Sequence, residues 1–379
     1  MKNNISFIHD CFGCGVCSTV CPPNIIDIIL SKEGFYEPQI TDEDKCINCG
    51  RCLKVCSFYN NETISQTNNI KGYATWSKDP KVRHNASSGG TGYEIARQLV
   101  NEGYHFCGVK YNIKNKYVEH YITDKIEEIA SSTGSKYIQS YTKDAFTNIN
   151  FKEKNVIVGT PCQIASLRRL IKLKRAEDNF ILIDFFCHGI PSMLLWNKYL
   201  ESATEKLGNI THVSWRNKRT GWHDSWAMKL EGENKSKRQE IYSRWTQGDL
   251  FYRFFLNHYC LGKHCTKDCR FKMLNSKADI RIGDLWGPSY KHDDKGVTGL
   301  LALTSKGKQL IDSINSIEKQ EIGTSIVCEG QMVNNAPSHP LRNLTIRMLN
   351  SKMRLKNISK VIYTLEIPFK IVKKLHLSK

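Results

Sequence analysis

Fifteen cysteines stand out in this chain of 379 residues, and eight of them fall in two runs of identical spacing. Cys11, Cys14, Cys17 and Cys21 form C-x2-C-x2-C-x3-C, followed by Pro22; Cys46, Cys49, Cys52 and Cys56 repeat it, followed by Ser57. Two-residue gaps let three thiolates wrap one corner of an iron–sulfur cubane, and the fourth cysteine of each run ligates the other cluster. The expected ligand sets are therefore Cys11, Cys14, Cys17 with Cys56, and Cys46, Cys49, Cys52 with Cys21. Gly13, Gly15 and Gly50 permit tight turns and let backbone N–H groups approach sulfur. Structural zinc asks for four ligands in pairs split by a longer loop, which eight cysteines in two equal runs fit poorly. Two neighbouring 4Fe–4S clusters conduct single electrons; they do no bond chemistry on carbon by themselves.

Four more cysteines make a candidate third cluster. Cys162 opens a helix, Cys187 ends a strand, and Cys265 and Cys269 lie in KHCTKDCRF, with Cys260 nearby as a reserve ligand. Adjacent parallel strands would bring the first two together at their carboxyl ends. Two other readings stand beside it. Cys162 at a helix N-terminus should have a lowered pKa, and His188 adjoins Cys187, so a Cys/His nucleophile is open. Buried structural thiols are the other reading, and it is the one given to Cys107 and Cys328.

These groups need elements to hold them. The first 60 residues are cysteine-dense and read as a small domain that needs a staple. A polar stretch at 61–70 reads as a linker, and a new domain begins near Lys71 with GYATWS. Tyr93, Ile95, Ala96, Leu99 and Val100 predict a helix stopping near Gly103. Val156–Val158 and 180–186 predict buried strands either side of a helix over CQIASLRRLIKLK, a βαβ unit with a parallel sheet. ADIRIGDLWG (278–287) alternates as a strand does, whereas 211–259 has no clear pattern. After Pro340 the apolar spacing is that of amphipathic helix, with Pro368 as the break. The fold class is an α+β ferredoxin-like two-cluster module followed by an α/β domain with a mixed or parallel sheet. The divisions are 1–60, a linker at 61–70, 71–155, 156–340 and a basic tail at 341–379.

Ser87, Ser88, Gly89 and Gly90 sit just before the helix that begins near Thr91, where free N–H groups and a positive dipole end suit a phosphate. A plain N-cap by Ser88 or Thr91 is the other reading of the same residues. Gly134, Ser135 and Lys136 form a second donor-rich loop, or only a turn. Gly159, Thr160 and Pro161 end a strand where α/β proteins place ligands. Arg216, Trp222 and His223 line a substrate pocket in one reading and a solvated basic loop in the other.

The net charge of +18 is uneven: residues 1–60 carry −2, residues 341–379 carry +9, and the middle carries the rest. The tail is a candidate for an anionic membrane surface, or a helix packed on the domain with a solvated face. Nucleic acid is not expected, since no binding motif accompanies the charge. No run of 18 apolar residues predicts a transmembrane helix, and the N-terminus lacks an apolar signal region. A cytoplasmic protein is expected, with reduced or metal-bound thiols.

NASSGG (85–90), GSKYIQS (134–140), VGTPCQIASLRRL (158–170), DFFCHGIPSMLLWNKYL (184–200), SWRNK (214–218) and ADIRIGDLWG (278–287), in this order after a ferredoxin-type module, resemble the coenzyme F420 hydrogenase/dehydrogenase beta subunit family. The resemblance covers roughly residues 5–310. It implies an FAD-binding α/β domain, iron–sulfur clusters, and two-electron exchange with a deazaflavin or another organic hydride donor or acceptor. Flavin commonly bridges one-electron and two-electron carriers. The family carries thiolates at places corresponding to the third cysteine set, though usually as C-x2-C where Cys265 and Cys269 are three residues apart. Relatives also occur in loci for surface polysaccharide synthesis. The implied function is an iron–sulfur flavoprotein oxidoreductase; the alternatives are a non-catalytic electron-transfer subunit and a Cys162-based redox or transfer enzyme.

Overall fold

The computed structural model of the chain describes residues 3–60, 70–235 and 237–377, with side chains described as far as Ile367. Of the linker expected at 61–70, residues 61–69 lie outside the described residues.

The cysteine-rich segment folds around two short helices, Val16–Thr19 and Arg51–Val55, and an antiparallel pair, β1 (Ile26–Leu30) and β2 (Tyr36–Ile40). Two glycines are demanded by the geometry. Gly13 has φ +61° and lies against the Tyr36 carbonyl and the Gln139 side chain; Gly15 has φ +77° and lies against Thr142 Oγ1. A side chain at either position would be strained and would push the module off the larger domain. That contact matters because the module has little core of its own. Ile5, Val16, Val20, Ile26 and Ile28 belong to one apolar cluster with Ile164, Leu167 and Leu170 of the Pro161–Lys174 helix. A 60-residue unit standing alone is marginal in the surface it can bury, and here the larger domain supplies a further apolar wall.

The remaining strands are β3 (Lys71–Ser77), β4 (His105–Asn112), β5 (Tyr117–Thr123), β6 (Ser140–Tyr141), β7 (Asn155–Val158), β8 (Phe180–Phe185), β9 (Asn209–Ser214), β10 (Ala227–Asn234), β11 (Lys237–Arg244), β12 (Ile280–Asp284), β13 (Thr298–Ala302) and β14 (Ile317–Ile322). Nine form one sheet in the order β14-β3-β13-β12-β8-β7-β4-β5-β6. Its centre, β4, β7, β8 and β12, is parallel; β3, β13 and β14 pair antiparallel, and β5 is antiparallel to β4 but parallel to β6, so the sheet is mixed. The 71–155 and 156–340 stretches contribute strands to this one sheet. The β7–helix–β8 unit is the predicted βαβ, with Val156 opposite Ile181 and Val158 opposite Ile183. β7 and β8 read as apolar runs because helices cover both faces: the Thr91–Asn101 helix on one, through Ile95 and Leu99, and the Pro161–Lys174 helix on the other.

The segment without a clear pattern is a separate antiparallel sheet, β11-β10-β9, followed by the Leu250–Leu256 helix. Its strands are polar on their outer side and cover the aromatic-rich second core of Trp196, Trp215, Phe251 and Phe255. The tail forms two helices, Arg342–Leu349 and Leu355–Leu377. Leu355, Ile358 and Ile362 are buried in that second core, so the described part of the tail packs on the domain. Pro368 does not end the last helix, which runs on to Leu377. Proline removes one backbone hydrogen bond and crowds the preceding turn, which can bend a helix without stopping it. Among the described residues no helix is long and apolar enough to cross a membrane.

Candidate functional site: three cysteine cavities and an adjoining cleft

Cys11, Cys14, Cys17 and Cys56 line one cavity of about 360 Å3 (this volume and the next two include solvent-open space), together with Ile5, Ile8 and Phe12. Cys21, Cys46, Cys49 and Cys52 line a second, of about 330 Å3. The fourth cysteine of each run has therefore crossed to the other set. The local cause is the turn-then-helix geometry of each run: Gly15 and Gly50 start a short helix in the left-handed conformation, throwing Cys21 and Cys56 past its far end. Backbone and side-chain donors already point at sulfur, with Gly13 N 3.4 Å from Cys11 Sγ, Tyr59 N 3.4 Å from Cys56 Sγ and Asn4 Nδ2 3.2 Å from Cys46 Sγ. Burial pushes the Cys14 thiol up to about 11, with Cys56 adding to it, and drives Cys11 and Cys17 higher still. Buried thiols so reluctant to ionise would lose their protons to a bound metal, whose charge reverses the balance.

The two cavities differ in exposure. Cys49 is exposed and Ile47 beside it is 65% exposed, whereas Cys11, Cys17 and Phe12 are buried. The second cavity faces outward and the first faces the larger domain.

A third cavity, of about 400 Å3, is lined by Cys162, Cys187, Cys265 and Cys269, with Phe12, Pro161, His264, Phe271 and Lys272. Cys162 and Cys187 meet because β7 and β8 are adjacent and parallel; Cys265 arrives on the short Lys263–Lys267 helix and Cys269 just after it. Cys260 is elsewhere, buried in the second core, and is not a reserve ligand. The expected low pKa of Cys162 does not occur. Burial raises it well above the usual thiol range, although Thr160 Oγ1 lies 3.2 Å from its Sγ. Desolvation outweighs the helix dipole here. His188, the partner a nucleophile would need, instead faces His258, with their Nε2 atoms 2.9 Å apart. Burial, then His258 and Lys272, holds His188 down at about 3.

No group of three His, Cys, Asp or Glu among the described residues is placed to hold a single metal ion. The first and third cavities share Phe12 as a wall. Ser57, standing where the motif often has proline, ties them further. Its N–H donates to Ser166 Oγ at 3.1 Å and its hydroxyl to the Cys162 carbonyl at 3.1 Å, while Ser166 Oγ lies 3.3 Å from Cys14 Sγ.

The fourth feature is a cleft of about 2080 Å3, solvent-open space included, at the carboxyl ends of β7, β8 and β12. Of the predicted binding residues, Ser87, Ser88, Gly90, Gly134, Ser135, Lys136, Gly159 and Thr160 line it. The two predicted loops meet, for Ser135 N donates to Ser87 Oγ at 2.7 Å. Gly89 and Pro161 do not line it. Gly89 packs on Thr298, donating its N–H to Oγ1 at 3.0 Å, and Pro161 faces the third cavity. Ser88 Oγ is used by the Val297 carbonyl, and no side chain caps the Thr91–Asn101 helix. The capping alternative for Ser88 and Thr91 is therefore not what the fold does, and the first turn of that eleven-residue helix faces the cleft with Gly90, Thr91 and Gly92. Thr160 differs: it forms a capping box with Gln163.

Lys136 is held by three carbonyls, Ser132, Thr133 and Gly134, at 3.0 to 3.2 Å, and burial lowers it to about 7. His120, missed in the sequence, lines the cleft with Nε2 on the Val158 carbonyl at 3.2 Å; burial lowers it to about 4, so it is neutral. Arg216 is neither a pocket residue nor a solvated one. It is fully buried behind the wall, paired to both oxygens of Asp284 at 2.9 and 3.2 Å and flanked by the rings of Trp226 and Trp286. Trp222 stacks on Trp286 at 5.0 Å, and His223 is exposed. No local pattern separates such a strut from a surface arginine; only the distant Asp284 does.

Residues 10–60 match the family model described as 4Fe-4S dicluster domain, and residues 152–325 match the model for the carboxyl-terminal part of the coenzyme F420 hydrogenase/dehydrogenase beta subunit. The chain carries both domains. An uncharacterized protein of Methanocaldococcus jannaschii is 25% identical over 218 residues, 49% of this chain; the chain spans 58% of that relative's length. Among solved structures, a chain of the F420-reducing NiFe hydrogenase complex from Methanosarcina barkeri aligns at 15% identity and a TM-score of 0.46, covering 79% of this chain and 93% of that one. The first two cavities lie in the dicluster domain. Cys162, Cys187, Cys265 and Cys269 all lie in the F420 hydrogenase/dehydrogenase domain, as do the β7, β8 and β12 ends of the cleft.

Proposed function

We propose that the chain is an iron–sulfur flavoprotein oxidoreductase that moves electrons between the dicluster domain and an organic substrate. Cys11, Cys14, Cys17 and Cys56 would hold one 4Fe–4S cluster, Cys21, Cys46, Cys49 and Cys52 a second, and Cys162, Cys187, Cys265 and Cys269 a third. The cleft would hold FAD. Bound clusters supply one-electron steps, and FAD joins them to two-electron chemistry.

One observation carries this reading: Cys187, Gly189, Ile190, Phe271 and Lys272 wall both the third cavity and the cleft. With Phe12 shared between the first and third cavities, shared walls join the first cavity to the third and the third to the cleft. The chain's own residues then do the rest. The open first turn at Gly90, Thr91 and Gly92 offers N–H groups to a phosphate. Phe185, Phe186, Ile282 and Trp286 give the cleft apolar walls suited to a flat ring system. The substrate is an organic hydride donor or acceptor, coenzyme F420 or another, and surface polysaccharide synthesis is the setting that the family resemblance offers.

The test is anaerobic purification with iron, sulfide and released flavin quantified. Iron for three clusters with one FAD per chain is expected. A chain that binds clusters but no flavin after reconstitution is an electron relay, and a colourless one defeats the reading.

A further inference from the structure

The third cavity has a polar wall that is not a cysteine. His264 lines it and is 3% exposed, set edge-on against Phe12 and Phe35 with ring centres 6.0 and 5.8 Å away. Its Nε2 is buried and has no hydrogen-bond partner among the described residues. An orphaned buried polar atom is destabilising, and in native folds it calls for an explanation such as a redox role or a bound ion or water. The ring cannot simply turn away from the site. It is wedged between two aromatic rings, and it lies against Gly262, where any side chain would strike it. The charged wall group, Lys272, already donates to the Cys187 carbonyl at 2.7 Å.

We propose that His264 donates its Nε2–H to a sulfur of the third cluster and thereby raises that cluster's reduction potential. The inference rests on the three-cluster reading above. Reduction adds negative charge to a cluster and its sulfurs, so a donor aimed at sulfur stabilises the reduced form more than the oxidised one. His264 thus tunes the cluster directly, from beside the Phe12 wall that the third cavity shares with the first. It would draw electrons inward across that wall.

The test is an EPR-monitored redox titration of the full-length, anaerobically reconstituted protein, comparing the unaltered chain with His264→Leu and His264→Gln. Leucine removes the donor, and glutamine returns an N–H near the position of Nε2. The expected result is a more negative midpoint for the third cluster in His264→Leu, unchanged midpoints for the other two, and recovery toward the original value in His264→Gln. Loss of the third cluster from His264→Leu alone, with a native midpoint in His264→Gln, also supports the donor role. An unchanged midpoint in His264→Leu overturns it, as does loss of the cluster from both variants, which would make the residue packing or ligand. Failure of the three-cluster reading is separate and appears in the unaltered protein, as iron and sulfide for the dicluster domain only; that result removes this inference too.

Discussion

The dicluster cavities and the third cavity are built from the same residue type by opposite means. In the dicluster domain, each run spans eleven residues and a turn plus a short helix puts three sulfurs on one wall; only the fourth comes from the other run. In the third cavity the ligating candidates come from two strand ends and a separate segment, spread over residues 162 to 269. The first kind is specified by spacing and needs little else. The second exists only if β7 and β8 pair in parallel and the 260s segment folds back over them. The two kinds also differ in setting. The outer cavity has the exposed Cys49 in its wall, whereas the third is walled in part by the buried Phe12, Phe271 and His264.

This contrast can be broken first at Cys56. Although it sits in the second run, Cys56→Ser should cost the cluster of Cys11, Cys14 and Cys17, lowering bound iron by about a third and destabilising the module, whose small core depends on its metal. Iron analysis with EPR decides it, and loss of the other cluster would break the crossed arrangement. Next is Cys265→Ser. It should remove the third cluster and leave the dicluster signals intact, so that flavin is still reduced by dithionite but no longer through the dicluster domain. Stopped-flow absorbance separates the two routes.

Smaller effects sharpen the boundary between the regions. Cys56 has ψ 113°, which suits a following proline, yet Ser57→Pro would delete the N–H and hydroxyl that reach Ser166 and Cys162. A loss of about 2 kcal/mol in denaturant unfolding is expected, with all clusters retained. Smallest is Cys260→Ser. It should leave iron content unchanged and cost only about 1 kcal/mol, because it buries a hydroxyl in an apolar core; any loss of iron would return Cys260 to the ligand set.

Legibility followed the range of the interactions. The β7–helix–β8 unit was readable because apolar runs and the Gly159-Thr160-Pro161 turn are local. β9 to β11 were not, because their strands alternate weakly and owe their pairing to an aromatic core drawn from the Met193–Leu207 and Leu250–Leu256 helices. The helix start at Thr91 was visible, but not that Ser88 and Gly89 would be consumed by Val297 and Thr298, some 209 residues away. Cys162 sits at a helix N-terminus as its sequence says, yet its ionisation is set by burial among distant walls.

What the amino-acid sequence determined by itself is the pair of cysteine runs, their turns, and the strand–helix–strand unit, since all of these are governed by spacing within a few residues. The tertiary structure alone decided which further cysteines meet, that Cys260 stays out, that Arg216 is a buried strut, and that one cavity shares its wall with the cleft. Those outcomes depend on which strands become neighbours, a choice made by the burial of the whole sheet and not by any segment of it.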